Sequence, residues 1–93
     1  MRVKILKKTS NELKLEVEEA GHAFCNLLQK RLLEDESVEL AGYNIPHPLA
    51  PISVVQVRTK EGSKPEDALK RATKRAHEIN KEFTKELRKA LRN

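Results

Sequence analysis

Residues 12–33 read ELKLEVEEAGHAFCNLLQKRLL, and the fold turns on a change of period inside that stretch. In its first third Leu13, Leu15 and Val17 alternate with Lys14, Glu16 and Glu18. A period of two places one set on a buried face and the other in water, which is the pattern of a half-covered strand. After Gly21 the period lengthens. Phe24, Leu27, Leu28, Arg31 and Leu32 follow the i, i+3, i+4, i+7, i+8 spacing of one helix face. A strand that feeds an amphipathic helix asks for a sheet covered by helices, so the flanking segments decide the class.

Upstream, VKILKK puts Val3 and Ile5 on one face of a strand, and the polar TSN between it and ELKLEVEE makes the two a hairpin. Downstream, the acidic EDES at 34–37 opposes the helix macrodipole, so the last helical turn is expected to fray. SVELAGYNI reads as a third strand whose apolar phase moves from Val38 and Leu40 to Ala41, Tyr43 and Ile45, predicting a bulge or bend near Gly42. In AGYNIPHPLAP, residues 41–51, three prolines fix φ and remove backbone donors. That segment is therefore a strand end, an edge or a shaped loop, not an inner strand through its length. ISVVQVRTK is a β-branched fourth strand.

EGSKPEDALK then opens a second helix, with Ser63 as expected N-cap, Glu66 three residues on, and Pro65 and Asp67 in the first turn. Leu69, Ala72, Ala76, Ile79, Phe83, Leu87 and Ala90 or Leu91 form its apolar stripe, with no internal glycine or proline. The order is ββαββα: an α+β class, one domain over residues 1–93, with two helices on an antiparallel-type sheet and a long C-terminal helix. From Pro65 to Leu91 such a helix measures roughly 40 Å. A compact domain of this size is about 30 Å across. The helix is thus expected to overhang by about two turns, with Phe83 and Leu87 calling for cover by another chain. The alternative is a helix that bends, or frays beyond Lys85, with every apolar residue packed internally.

Composition narrows the function. The net charge is +5, and residues 64–92 carry ten Lys or Arg against five Asp or Glu. Tyr43, Phe24 and Phe83 are the only aromatic residues, too few for a base-stacking platform. A basic nucleic-acid-binding homodimer therefore stands as the second reading. No run approaches the ~18 apolar residues of a membrane span, and MRVKILKK lacks the features of a signal peptide, so a cytoplasmic protein is expected. Cys25 is the single cysteine and reads as a small hydrophobe on the inner helix face. His22, His47 and His77 share no ligand spacing, so neither metal nor cofactor is expected. Neither GxGxxG nor GxxxxGK occurs, and no serine has a nearby glycine-rich elbow or histidine. The chain reads as non-catalytic.

Residues 21–49, GHAFCNLLQKRLLEDESVELAGYNIPHPL, resemble the archaeal RNA polymerase subunit L family and its small eukaryotic counterparts, which are similar to the dimerisation part of the bacterial alpha subunit. The family's HTLGNLL-like helix is matched by His22, Asn26, Leu27 and Leu28. Its AGY.IPHPL segment is matched by Ala41, Gly42, Tyr43, Ile45, Pro46, His47, Pro48 and Leu49. Ala23, Phe24 and Cys25 depart from the more usual Thr, Leu and Gly. The resemblance implies a non-catalytic subunit of a DNA-directed RNA polymerase, a nucleotidyltransferase as holoenzyme. It also implies heterodimerisation with a larger alpha-like RNA polymerase subunit, as a platform for the catalytic subunits, and contact with DNA only through the holoenzyme. Phe24, Leu27, Leu28, Leu32, Ala76, Ile79, Phe83 and Leu87 are the expected partner interface.

Overall fold

The 12–18 alternation forms the strand on which the sheet is built. In a computed structural model, which describes residues 2–47, 49, 51–75 and 81–92, the elements are β1 (Val3–Lys8), β2 (Glu12–Glu18), α1 (Gly21–Leu33), β3 (Val38–Asn44), β4 (Ile52–Thr59), α2 (Pro65–Arg75) and α3 (Lys81–Arg92). The sheet order is β1-β2-β4-β3, antiparallel throughout. β2 and β4 pair without interruption from Glu12↔Arg58 to Glu18↔Ile52. Leu13, Leu15 and Val17 therefore stand beside Val57, Val55 and Ser53, and all six are buried. Lys14, Glu16 and Glu18 fall on the opposite, uncovered face, as a period of two requires.

The helices share the inner face. α1 lies against β3 and β4, α2 against β4 and β2, and α3 against β1. Cys25, Leu28 and Leu32 of α1, Ala68, Leu69 and Ala72 of α2, and Phe83 and Leu87 of α3 close one core with the strand residues. Cys25 is buried as the helix period predicts. Burial raises its thiol pKa, with a hydrogen bond to Ser53 acting in the other direction.

Three local expectations are corrected. The β3 irregularity falls between Val38 and Leu40, whereas Gly42 is in register opposite Gln56. Opening the register there lets Val38 and Ala41 both pack against the core. A second irregularity falls between Ile5 and Lys7. The EDES segment closes a turn instead of fraying: the Asp35 N–H donates to the Leu32 carbonyl and the Val38 N–H to the Asp35 carbonyl, both at 3.0 Å. Ser63 sits one residue too early to cap α2. Its carbonyl accepts from Thr59 Oγ1 at 2.7 Å, and Lys64 receives the first helical N–H groups at 3.2 and 3.3 Å.

The largest difference concerns the long terminal helix. The fold class stands, but the described residues form three helices where the stripe implied two. Lys70 of α2 and Arg92 of α3 line the same groove, whereas on one straight helix they would be about 33 Å apart. The two segments therefore run back along each other. The whole domain measures 37 × 25 × 22 Å, with a radius of gyration of 12.0 Å. No apolar overhang exists among the described residues; Phe83 and Leu87 are 0% and 1% exposed. The reason is the inner side of β1. Val3 and Ile5 need a cover that α1 and α2 do not reach, and α3 supplies it while removing its own stripe from water. Phe83 meets Phe24 of α1 edge to face, with centroids 4.9 Å apart and planes at 64°.

Phe83→Ala is expected to lower the stability of the isolated chain by about 3 kcal/mol or more, as for a large buried aromatic. Urea unfolding followed by circular dichroism measures it, and a change near zero would contradict the seating of α3.

Candidate dimerisation surface

A helix layer on one face of a sheet can bury its apolar residues within the chain or against a second chain, so the exposure of each interface candidate matters. Leu28 and Leu32 point from α1 into the core and are fully buried. Phe24 and Leu27 flank them and are only partly buried against the same cluster. Arg31 lies on this side too, with Nη1 donating to Glu34 Oε2 at 2.9 Å. Leu33 at the end of α1 is 53% exposed. Of the C-terminal candidates, Phe83 and Leu87 are inside the core, and Ala76 and Ile79 lie outside the described residues. The structure thus brings Phe24, Leu28, Leu32, Phe83 and Leu87 together, but as this chain's own core.

The two motifs meet at one corner of the domain. His22 opens α1 and Tyr43 lies on β3, with His22 Nδ1 and Tyr43 Oη hydrogen-bonded at 3.3 Å and the rings edge to face at 67°. In the tautomer protonated at Nε2 the phenol donates to Nδ1. Both side chains keep solvent contact, and Asn26 is exposed one turn along. The proline segment leaves the sheet at Asn44, the last residue of edge strand β3. It returns at Pro51, whose carbonyl accepts from the Glu19 N–H at 2.6 Å. Glu19 holds φ +61° to make that contact, a left-handed conformation uncommon for a residue with a side chain. The segment is therefore a shaped loop at the end of an edge strand, tied to the β2–α1 junction. Pro46 and His47 are exposed, Leu49 is 99% exposed, and Gly42 is half-buried; Pro48 lies outside the described residues.

A polar cluster that the sequence pattern did not reveal fixes α2 against this frame. Asp35, 8% exposed, accepts from Arg71 Nε at 2.7 Å, from the Ser37 N–H at 3.0 Å and from Ser37 Oγ at 2.8 Å. Arg71 also donates to Ser37 Oγ at 3.0 Å. The Arg71 bond and the Ser37 donors hold the Asp35 pKa down to about 2, against the opposing effect of burial. Arg71, four residues after Asp67, bonds Asp35, and Glu66, four residues before Lys70, pairs with Lys8 at 3.4 Å. Residues 35 and 71 share no periodicity, so nothing in the sequence pointed to the contact. Among the described residues no three His, Cys, Asp or Glu gather closely enough to hold a metal ion, and no helix is long and apolar enough to cross a membrane.

These features define an α+β domain whose helices all cover one face of a four-stranded antiparallel sheet. Within that class the chain belongs to the RNA polymerase Rpb3/Rpb11 dimerisation domain family, whose pattern matches residues 12–86. It is 41% identical over 75 residues to DNA-directed RNA polymerase subunit Rpo11 of Archaeoglobus fulgidus, covering 81% of this chain and 86% of that protein. It is 40% identical over 75 residues to Rpo11 of Methanocella arvoryzae, covering 81% of each. The crystal structure of DNA-directed RNA polymerase subunit L from Thermoplasma acidophilum superposes with a TM-score of 0.71 over 97% of this chain and 88% of that one. At 24% identity that likeness bears on the fold.

The depressed Asp35 pKa gives a pH signature. The contribution of Asp35 is present above its unfolded pKa near 4 and is lost as pH falls through about 2. Because Arg71 is 45% exposed, solvent screening reduces the Asp35→Asn cost at neutral pH to on the order of 1 kcal/mol. The stability difference between wild type and variant should close between about pH 4 and pH 2. Equal differences at both ends of that range would contradict the assignment.

Proposed function

We propose that this chain is a non-catalytic assembly subunit of DNA-dependent RNA polymerase, which heterodimerises with the larger, Rpb3-like subunit of the enzyme. The pair forms the platform on which the catalytic subunits assemble. The observation that carries the reading is the match of the dimerisation pattern over residues 12–86, a range running from β2 through the helix layer into α3. The names of the relatives agree with it.

The pairing surface is the α1 face bearing Phe24, Leu27, Leu28 and Leu32, together with the stripe of Ala76, Ile79, Phe83 and Leu87. In the isolated chain α3 occupies part of that surface. Pairing through the whole set requires α3 to leave its seat over β1 and a partner helix to take over the burial of Phe24, Leu28 and the inner side of β1. Such an exchange trades one apolar contact for another of similar kind, so the two arrangements differ by far less than the burial itself. Leu91, half-buried in the last turn of α3, borders three separate grooves, against α2, against the β1–β2 turn and along β1. That loose seating supports α3 as the element that moves. His22, Tyr43, Pro46, His47 and Leu49 hold a shaped corner at the start of α1, which we assign to local structure; Pro48 we assign to the same role from its place in the motif.

Mixing the chain with an Rpb3-like subunit should give a one-to-one complex by size exclusion with light scattering. Leu27→Glu, at a half-buried position, should abolish it with the circular dichroism spectrum unchanged, while Lys14→Glu on the uncovered sheet face should leave it intact. Phe83→Glu should also abolish pairing, but it perturbs the chain's own core, so Leu27→Glu is the cleaner variant. A monomer that ignores the partner, or full pairing by both Leu27→Glu and Phe83→Glu, would sink the reading.

A further inference from the structure

The groove between α2 and α3 is lined by Lys70 and Lys74 on one wall and Arg88 and Arg92 on the other, with Thr73, Thr84, Leu87 and Leu91 between them, and has a volume of about 450 Å³. All four cations are exposed, and among the described residues no carboxylate lines the groove. Each wall carries its charges four residues apart, about 6 Å along the helix. The ion pairs formed among the described residues use Lys7, Lys8, Arg31 and Arg71, so these four cations take no part in them. Glu66 and Asp67 border the adjoining groove, which shares Lys70, and Glu66 is engaged by Lys8. Like charges at i,i+4 repel within each helix, and folding α3 back sets the two rows face to face. An anion placed between them relieves that repulsion while gaining charge-assisted hydrogen bonds from two guanidinium forks and two ammonium groups.

We infer that this groove is a binding site for a small oligophosphate, an anion carrying about three or four negative charges. Its volume is that of a small-ligand site. None of the three aromatic side chains lines it, so it offers no stacking for successive bases. Leu87 is 1% exposed and Leu91 half-buried, too little open apolar surface to anchor a peptide. The triphosphate group is shared by inorganic tripolyphosphate and by nucleotides, and the groove recognises that shared part. The inference concerns the isolated chain with α3 folded back, so it stands or falls apart from heterodimerisation.

Titration calorimetry of the full chain with sodium tripolyphosphate, at low and at physiological salt, tests it. One equivalent should bind, more weakly at higher salt. The Lys74→Gln, Arg88→Gln double variant should lose at least tenfold in affinity with an unchanged circular dichroism spectrum, since both positions are exposed. A Lys4→Gln, Lys14→Gln variant on the sheet should bind as wild type. ATP run in parallel distinguishes the sources: tighter binding than tripolyphosphate assigns a nucleotide, weaker binding assigns the inorganic anion. The inference is overturned by absence of binding, by equal loss in both double variants, or by preferential binding of single-stranded DNA that the groove variant does not weaken.

Discussion

Everything in this domain depends on covering one face of the sheet. β2 and β4 pair through their whole length, so Leu13, Leu15, Val17, Val55 and Val57 form a continuous apolar surface that water must not reach. With only two phenylalanines and no tryptophan the core is thin and aliphatic. No single helix is wide enough to close it. α1 and α2 cover β3, β4 and β2, and the remaining strip beside Val3 and Ile5 falls to α3. The position of α3 follows from that strip, and so does the burial of Phe83 and Leu87.

The same constraint explains how a domain of this kind can be both self-contained and made for pairing. An apolar stripe has no memory of which surface covers it. Phe83 satisfies the hydrophobic term against Phe24 in its own chain, and a partner's helix would satisfy it equally well. The polar contacts are placed differently. Asp35, Ser37 and Arg71 tie α2 to the α1–β3 turn, and the Glu19–Pro51 and His22–Tyr43 bonds tie the proline loop to the start of α1. These bonds are directional and do not exchange cheaply. The frame is thus pinned by hydrogen bonds, whereas α3 is held mainly by its stripe.

Much of this was written in residues 12–33 and their neighbours. Alternation in ELKLEVEE fixed the orientation of β2, the helical spacing of Phe24, Leu28 and Leu32 fixed the inner face of α1, and Cys25 lay where its small size suits a buried position. The prolines of 46–51 ruled out an inner strand through that segment, and the structure makes it a loop at the end of edge strand β3. The family was legible in the two motifs, which the fold joins at the His22–Tyr43 contact. Bulge positions and the cap of α2 were displaced by a few residues, because backbone hydrogen bonds at Val38 and Lys64 decided them locally.

The sequence by itself determined which residues seek burial, in what period, and on which face of each element, since those properties belong to side chains and backbone geometry alone. It did not determine what they are buried against. An uninterrupted stripe from Leu69 to Leu91 reads as one helix because nothing local stops it. Only the tertiary structure shows α3 returning along α2, since the competition between solvent, the bare side of β1 and a second chain is settled by surfaces that are distant in sequence. The Asp35–Arg71 bond and the opposed rows of Lys70, Lys74, Arg88 and Arg92 exist for the same reason: charges distant in sequence acquire partners, or face each other, only when the chain folds back.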